Sequence, residues 1–182
     1  MRLFVAAETG PGGKELARIQ GLVKELCPRA GMTRPGNMHL TVKFIGEAPV
    51  SDILNISKAL EEAVKECAPF KLRLDRIGVF TPGMEGLVWC GCAGDIPAFE
   101  TLCRAVNAKL LEQGYPAETK KAVAHITLAR RADTRGVLEK LQAIRVNPTE
   151  FTVDRIVLME STRDNGLLTY IPAAHYCLQR RP

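Results

Sequence analysis

Apolar and polar residues alternate along several short segments of the chain and recur at helical spacing along others. The alternation predicts strands over residues 2–7, 39–46, 70–80, 86–93, 125–130, 150–160 and 166–178. The helical spacing predicts helices over residues 13–27, 51–67, 97–113 and 134–144. The chain is therefore predicted to be a globular mixture of helices and strands.

The order of these predicted elements repeats along the chain. Each half contains a helix, a strand with a His-x-Thr triplet, a helix, a strand, a turn and a strand. Residues 75–77 (Asp-Arg-Ile) recur at 154–156, and residues 86–87 (Gly-Leu) recur at 166–167. Several short identities in one consistent order favour an internal duplication. Two similar αβ lobes related by a pseudo-twofold axis would bring equivalent strands to face each other across a central cleft.

Two of the three histidines stand in matching segments, HLTVKFIG and HITLAR. Because alternate side chains of a strand share a face, His39 with Thr41, and His125 with Thr127, each present an imidazole beside a hydroxyl. Across a cleft, one imidazole can act as a base and the other as an acid at a phosphorus atom. The hydroxyls can donate to the nonbridging oxygens. This chemistry requires no metal.

Composition and charge limit the function without identifying it. There are 25 Lys and Arg against 20 Asp and Glu, and the net charge of +5 is compatible with an anionic substrate but too small to indicate one. The N-terminus lacks the apolar core of a secretory signal, and no apolar run reaches membrane-spanning length, so a soluble cytoplasmic protein is predicted. The six cysteines are predicted to be reduced thiols, and Cys90-Gly-Cys92 lacks the second pair that would complete a zinc site.

The two histidine segments and their separation resemble the two-histidine phosphoesterases. They are most similar to the bacterial and archaeal RNA 2′,3′-cyclic phosphodiesterases, also called 2′-5′ RNA ligases of the LigT-like group. The resemblance implies an α+β fold: one bilobal domain over residues 1–182, with two duplicated, partly interleaved lobes whose antiparallel sheets line a central cleft. It also implies opening of a 2′,3′-cyclic phosphate to a 2′-phosphate, without metal or other cofactor. The substrates would be RNA ends or related cyclic nucleotides, and ATP-independent 2′-5′ joining would be a minor reverse activity.

Carried over to this sequence, the resemblance assigns His39 as the acid toward the leaving 3′ oxygen and His125 as the base for water. The near symmetry of the two segments leaves the reverse assignment open. Thr41, Thr127 and Arg130 are assigned to the substrate phosphate. Arg130 has the opposite alternation to His125, so it is expected to reach the site only if the strand ends or twists there.

Simple alternation also makes predictions for the neighbouring side chains. Lys43 should share the face of His39, and Phe44 should point into the core. Trp89, the single tryptophan, is expected to be buried. His175, which lacks an accompanying threonine, is expected to have a structural role.

A second class of function stays open. The same threonines and basic residues could form a binding module that holds RNA ends or nucleotides without turnover. Two ionisable rings favour the enzyme, since binding alone does not require both of them. Nothing in the sequence requires more than a monomer.

Overall fold

Every strand that the structure describes belongs to one antiparallel sheet. The computed structural model describes residues 1–119 and 121–179. The strands are β1 (Arg2–Ala7), β2 (Gly31–Met32), β3 (Leu40–Glu47), β4 (Phe70–Phe80), β5 (Gly86–Gly94), β6 (His125–Ala132), β7 (Glu150–Val153), β8 (Arg155–Asp164) and β9 (Leu167–Cys177). The helices are α1 (Gly13–Leu26), α2 (Ile53–Lys65), α3 (Ile96–Glu112) and the short α4 (Leu138–Gln142).

The sheet consists of two four-stranded halves joined at its centre. Its strand order is β7-β4-β5-β6-β3-β1-β8-β9, and the short β2 pairs with β6. The halves meet where β3 and β6 pair, at Leu40 and Ile126. Helices α1 and α4 contact the half that contains β6 and β4, whereas α2 contacts β9 and α3 contacts β3 in the other half, and α3 also reaches β4. This arrangement confirms the predicted α+β fold with two related lobes and antiparallel sheets.

The path of the chain crosses between the two halves. β1 lies between β3 and β8, and β5 lies between β6 and β4. We propose that β1-α1-β3-α2-β4 and β5-α3-β6-α4-β8 are the two copies of a duplicated unit, each of which places its last strand in the other half. The repeated Gly-Leu pair does not mark equivalent strands, because Gly86 begins the inner strand β5 whereas residues 166–167 lie at the start of the outer strand β9.

Two predicted elements differ from those in the structure. The predicted strand over 150–160 is two strands, because β7 pairs with β4 in one half and β8 pairs with β1 in the other, with Asp154 between them. The predicted helix over 134–144 is shortened to Leu138–Gln142. Thr134 is buried, and its hydroxyl accepts a hydrogen bond from the Gly83 amide at 2.8 Å, which ties this segment to the turn between β4 and β5.

The core lies between the sheet and the apolar faces of the helices, and the predicted helical stripes supply it. The buried side chains include Leu16, Ile19 and Val23 of α1, Ile56 and Leu60 of α2, and Phe99, Leu102 and Val106 of α3. Gly114 follows α3 with φ +86°, which confirms its predicted place at the end of that helix. Within the described ranges, no helix is both long and apolar enough to cross a lipid bilayer.

Candidate active site

The central strand pair brings the two His-x-Thr triplets side by side. β3 and β6 run antiparallel and pair at the residue between the histidine and the threonine of each triplet. In that register His39 stands opposite Thr127, and His125 stands opposite Thr41. The structure therefore brings the pair His39 and Thr41 next to the pair His125 and Thr127, although the two pairs are 86 positions apart in the sequence.

Both imidazole rings are held in the same way. The Nδ1–H of His39 donates to the carbonyl of Asn37 at 2.8 Å, and the Nδ1–H of His125 donates to the carbonyl of Val123 at 2.8 Å. Because a carbonyl can only accept, these bonds leave Nε2 as the unprotonated nitrogen of each neutral ring. The His39 Nε2 accepts a hydrogen bond from the Thr41 hydroxyl at 2.9 Å.

Aromatic side chains pack against both rings. The ring centroids lie 4.8 to 6.0 Å apart in four contacts: Phe4 and Tyr170 with His39, and Phe80 and Trp89 with His125. None of these contacts was predicted, because all four side chains come from strands that are distant in sequence from the histidine they contact. They restrict the orientation of each ring and shield it from water.

Trp89 is buried as predicted, with 7% of its surface exposed, but it lies beside the site and not in a remote part of the core. Its indole covers Gly78 and Gly91, where an added Cβ would lie 2.1 and 2.8 Å from ring atoms. The two glycines are therefore required for the indole to lie against the sheet next to His125.

Burial is the main cause of the acidic shift of both histidines. It lowers the pKa of His39, and the charges of Arg130 and His125 lower it further, while the hydrogen bond to Asn37 opposes the shift. The pKa of His125 is also lowered first by burial and then by Arg130, against the hydrogen bond to Val123. Without bound substrate, both rings are therefore predominantly neutral at pH 7. A bound phosphate would favour a proton on one of them.

A β-bulge in β3 reverses the predicted directions of two side chains. Thr41 pairs with Ala6 and Lys43 pairs with Val5, which leaves Val42 as the extra residue. Lys43 is consequently buried, with 3% of its surface exposed, and Phe44 is 55% exposed. The predictions that Lys43 shares the face of His39 and that Phe44 lies in the core are both wrong, because simple alternation does not allow for the bulge.

A bulge at the equivalent place in β6 brings Arg130 to the site. Thr127 pairs with Trp89 and Ala129 pairs with Val88, which leaves Leu128 as the extra residue. The alternation shifts by one position, so Arg130 is exposed on the side of the histidines and lowers the pKa of both. The strand does not end there, since β6 continues to Ala132, and the distortion of the backbone extends to Arg131, which has φ +53°.

The family model of the 2′-5′ RNA ligase superfamily matches residues 9–165. The chain belongs to this superfamily. An RNA 2′,3′-cyclic phosphodiesterase of Archaeoglobus fulgidus is 31% identical over 133 residues, which are 71% of this chain and 72% of the relative. The RNA 2′,3′-cyclic phosphodiesterase of Aquifex aeolicus is 25% identical over 170 residues, which are 89% of each chain.

Solved structures of similar fold extend over almost the whole chain. Escherichia coli LigT complexed with 3′-AMP superposes with a TM-score of 0.77 at 22% identity, covering 98% of both chains. A protein of Thermus thermophilus gives a TM-score of 0.75 at 24% identity, again with 98% of both chains covered. These likenesses confirm the fold that the superfamily resemblance implied.

A cavity of about 470 Å³ opens beside the histidine pair. From β3 and β6 it is lined by Thr41, Val42, Lys43, Phe44 and His125. Helix α3 and residues 118 and 121–123 of the segment 113–124, which connects α3 to β6, complete its lining. Its volume is that of a small-molecule site, and both the exposed Phe44 and His125 line it. One sign of this arrangement was present in the sequence, since Phe44 and Arg130 each follow their histidine by the same number of residues.

The other residues considered in the sequence lie outside this site. In the described ranges, no group of three His, Cys, Asp or Glu side chains is placed to hold a metal ion. Burial raises the pKa of the Cys90 and Cys92 thiols to about 12. His175 is exposed on the outer strand β9.

Proposed function

We propose that the protein hydrolyses 2′,3′-cyclic phosphate ends of RNA to 2′-phosphates, with His39 and His125 as the general acid and base. The observation that carries this proposal is the central strand pairing, which sets each histidine opposite the other strand's threonine. The relatives that bear the name RNA 2′,3′-cyclic phosphodiesterase support the same reaction.

In the proposed reaction His125 is the base and His39 is the acid. The Nε2 of His125 removes a proton from water as the oxygen of that water bonds to phosphorus. A protonated His39 gives its proton to the ribose 3′ oxygen as the bond from phosphorus to that oxygen breaks. The greater exposure of the His125 hydrogen bond favours water on its side, whereas the hydrogen bonds of His39 are partly buried.

Thr41, Thr127 and Arg130 would stabilise the phosphate between the two rings. The hydroxyl of Thr41 now donates to the His39 Nε2, and a hydroxyl rotates readily to donate to a phosphate oxygen instead. Arg130 is close enough to influence both histidines, so its guanidinium can bind the negative charge that develops between them. None of these steps requires a metal.

The exposed Phe44 ring favours a substrate that contains a nucleobase over a phosphodiester that has none. An aromatic face in a cavity beside the phosphate site is suited to stacking on a nucleobase. The proposal includes 2′-5′ joining as a minor activity, in which an RNA 5′-hydroxyl replaces the attacking water. Opening of the cyclic phosphate drives that step, so ATP is not needed.

Incubation with cytidine 2′,3′-cyclic phosphate in EDTA tests the proposed function. We expect conversion to the 2′-monophosphate, measured by chromatography against the 2′ and 3′ standards. Binding without product would instead support the non-catalytic module for RNA ends. Loss of turnover specifically in EDTA would contradict the metal-independent reaction.

A further inference from the structure

Lys43 is a charged side chain held inside the protein. The bulge at Val42 turns it away from the face that carries His39, and it lies in the wall of the cavity with only 3% of its surface exposed. Its ammonium donates a hydrogen bond to the carbonyl of Pro116. Burial lowers the pKa of Lys43, and the nearby Glu118 carboxylate opposes that shift. A buried ammonium is costly unless hydrogen bonds and opposite charges replace its lost hydration, and the segment that contains Pro116 and Glu118 supplies both.

The segment bound by Lys43 is a wall of the cavity next to the histidines. In its described residues, 113–119 and 121–124, it contains neither helix nor strand. Three side-chain contacts tie it to helical parts of the chain: Tyr115 to Asp52, Glu118 to Asn107, and Lys121 to Glu100. The bond from Lys43 is different, because it starts on β3, the strand that carries Thr41 and Phe44.

The bond from Lys43 to Pro116 joins two elements that line the same cavity. Phe44, the next residue after Lys43, lines the cavity from β3, and Glu118 lines it from the segment 113–124. Lys43 lines the cavity as well, so its ammonium links the strand that presents the Phe44 ring to another part of the cavity wall. The segment ends at His125, whose Nδ1 donates to the carbonyl of Val123 within the segment.

We propose that Lys43 is a positioning residue that fixes the distance between Phe44 and the segment 113–124, and thereby the fit of the substrate's terminal nucleoside. Lys43 acts on binding and not on the chemistry at phosphorus, because its ammonium donates to the carbonyl of Pro116, in the segment whose residues 118 and 121–123 line the cavity. The inference rests on the proposed function and names a residue that determines which substrates fit.

The Lys43→Met variant tests this role, because methionine keeps a long apolar side chain and removes the donor. With cytidine 2′,3′-cyclic phosphate we expect KM to rise about tenfold and kcat to stay within about threefold of wild type. With methyl riboside 2′,3′-cyclic phosphate, which has no base, KM should equal that of wild type. Lys14→Met makes the same change at an exposed lysine of α1 and should alter neither constant.

The comparison of the two substrates separates this inference from the proposed function. Unchanged KM for the cytidine substrate in folded Lys43→Met, or an equal loss with the base-free substrate, would overturn the role of Lys43 alone. A wild-type chain that hydrolyses neither substrate would overturn the proposed function and this inference with it.

A second variant decides the matter if Lys43→Met does not fold by circular dichroism. Tyr115→Phe removes the 2.9 Å hydrogen bond to Asp52 that ties down the same segment. We expect a rise in KM of about threefold for the cytidine substrate, no change for the base-free substrate, and unchanged kcat. Equal KM values for wild type and Tyr115→Phe would then count against the inference.

Discussion

The two central strands share a backbone pattern and differ in the side chain that each returns to the cleft after its bulge. β3 and β6 each present a histidine and a threonine, then bulge at the next residue, and then return a side chain to the cleft. That side chain is Phe44 in β3 and Arg130 in β6. Because the strands are antiparallel, Phe44 extends past His125 toward the cavity, and Arg130 extends from the opposite end of the triplet pair. Two nearly symmetric strands thus carry different groups at their ends: Phe44 is suited to contact a base, and Arg130 is suited to bind phosphate.

Loss of either histidine should have the largest effect on kcat, because each ring carries out one of the two proton transfers in the proposed reaction. We expect His39→Ala and His125→Ala each to lower kcat by about 10²- to 10⁴-fold while the fold is retained. Steady-state rates with cytidine 2′,3′-cyclic phosphate measure the loss. His175→Ala, at the third histidine, is the matched control, and a near-wild-type rate in either site variant would refute the paired roles.

Replacing Phe44 or Arg130 by alanine should affect different kinetic constants, because the first is proposed to bind the base and the second the phosphate. Arg130→Ala should lower kcat by about 10²- to 10³-fold, because the guanidinium stabilises charge that grows in the transition state. Phe44→Ala should raise KM by about tenfold with little change in kcat, because stacking on a base is a binding interaction. Similar kinetic constants for both variants would show that the ends do not differ as proposed.

The smallest expected effect is on the pH dependence of kcat/KM, which tests the lowered pKa values of His39 and His125. A base must be neutral, so kcat/KM rises as pH passes its pKa, and an acid must be protonated, so kcat/KM falls above its pKa. Since the pKa of both rings is lowered from 6.5, the optimum of kcat/KM should lie on the acid side of that value.

Arg130→Ala sharpens the pH prediction. Its cation lowers the pKa of both histidines, so its removal should move both limbs of the profile to higher pH. Arg130→Lys, which keeps the charge, should leave the limbs nearly in place. An acid shift in Arg130→Ala would contradict the assigned direction.

The errors in the predicted directions of side chains share one physical cause. Strict alternation assigned Lys43 to the cleft and Phe44 to the core, and it left Arg130 without a simple route to the site. One extra residue in each strand reverses all three directions, and a bulge depends on pairing with a neighbouring strand. The shortened α4 has a separate cause, because Gly136 has φ +72°, outside the helical region, and Thr134 is bonded to Gly83, so the helix begins only at Leu138.

The local elements, the superfamily resemblance and the pairing of imidazole with hydroxyl could all be read from the amino-acid sequence, because they depend on residues that are neighbours along the chain. The surroundings of the two pairs became visible only in the folded molecule: the aromatic rings against each histidine, the exposed Phe44 and the buried Lys43. These features require strands and segments that are distant in sequence to meet, and the register of their hydrogen bonds is set by the packing of the whole sheet.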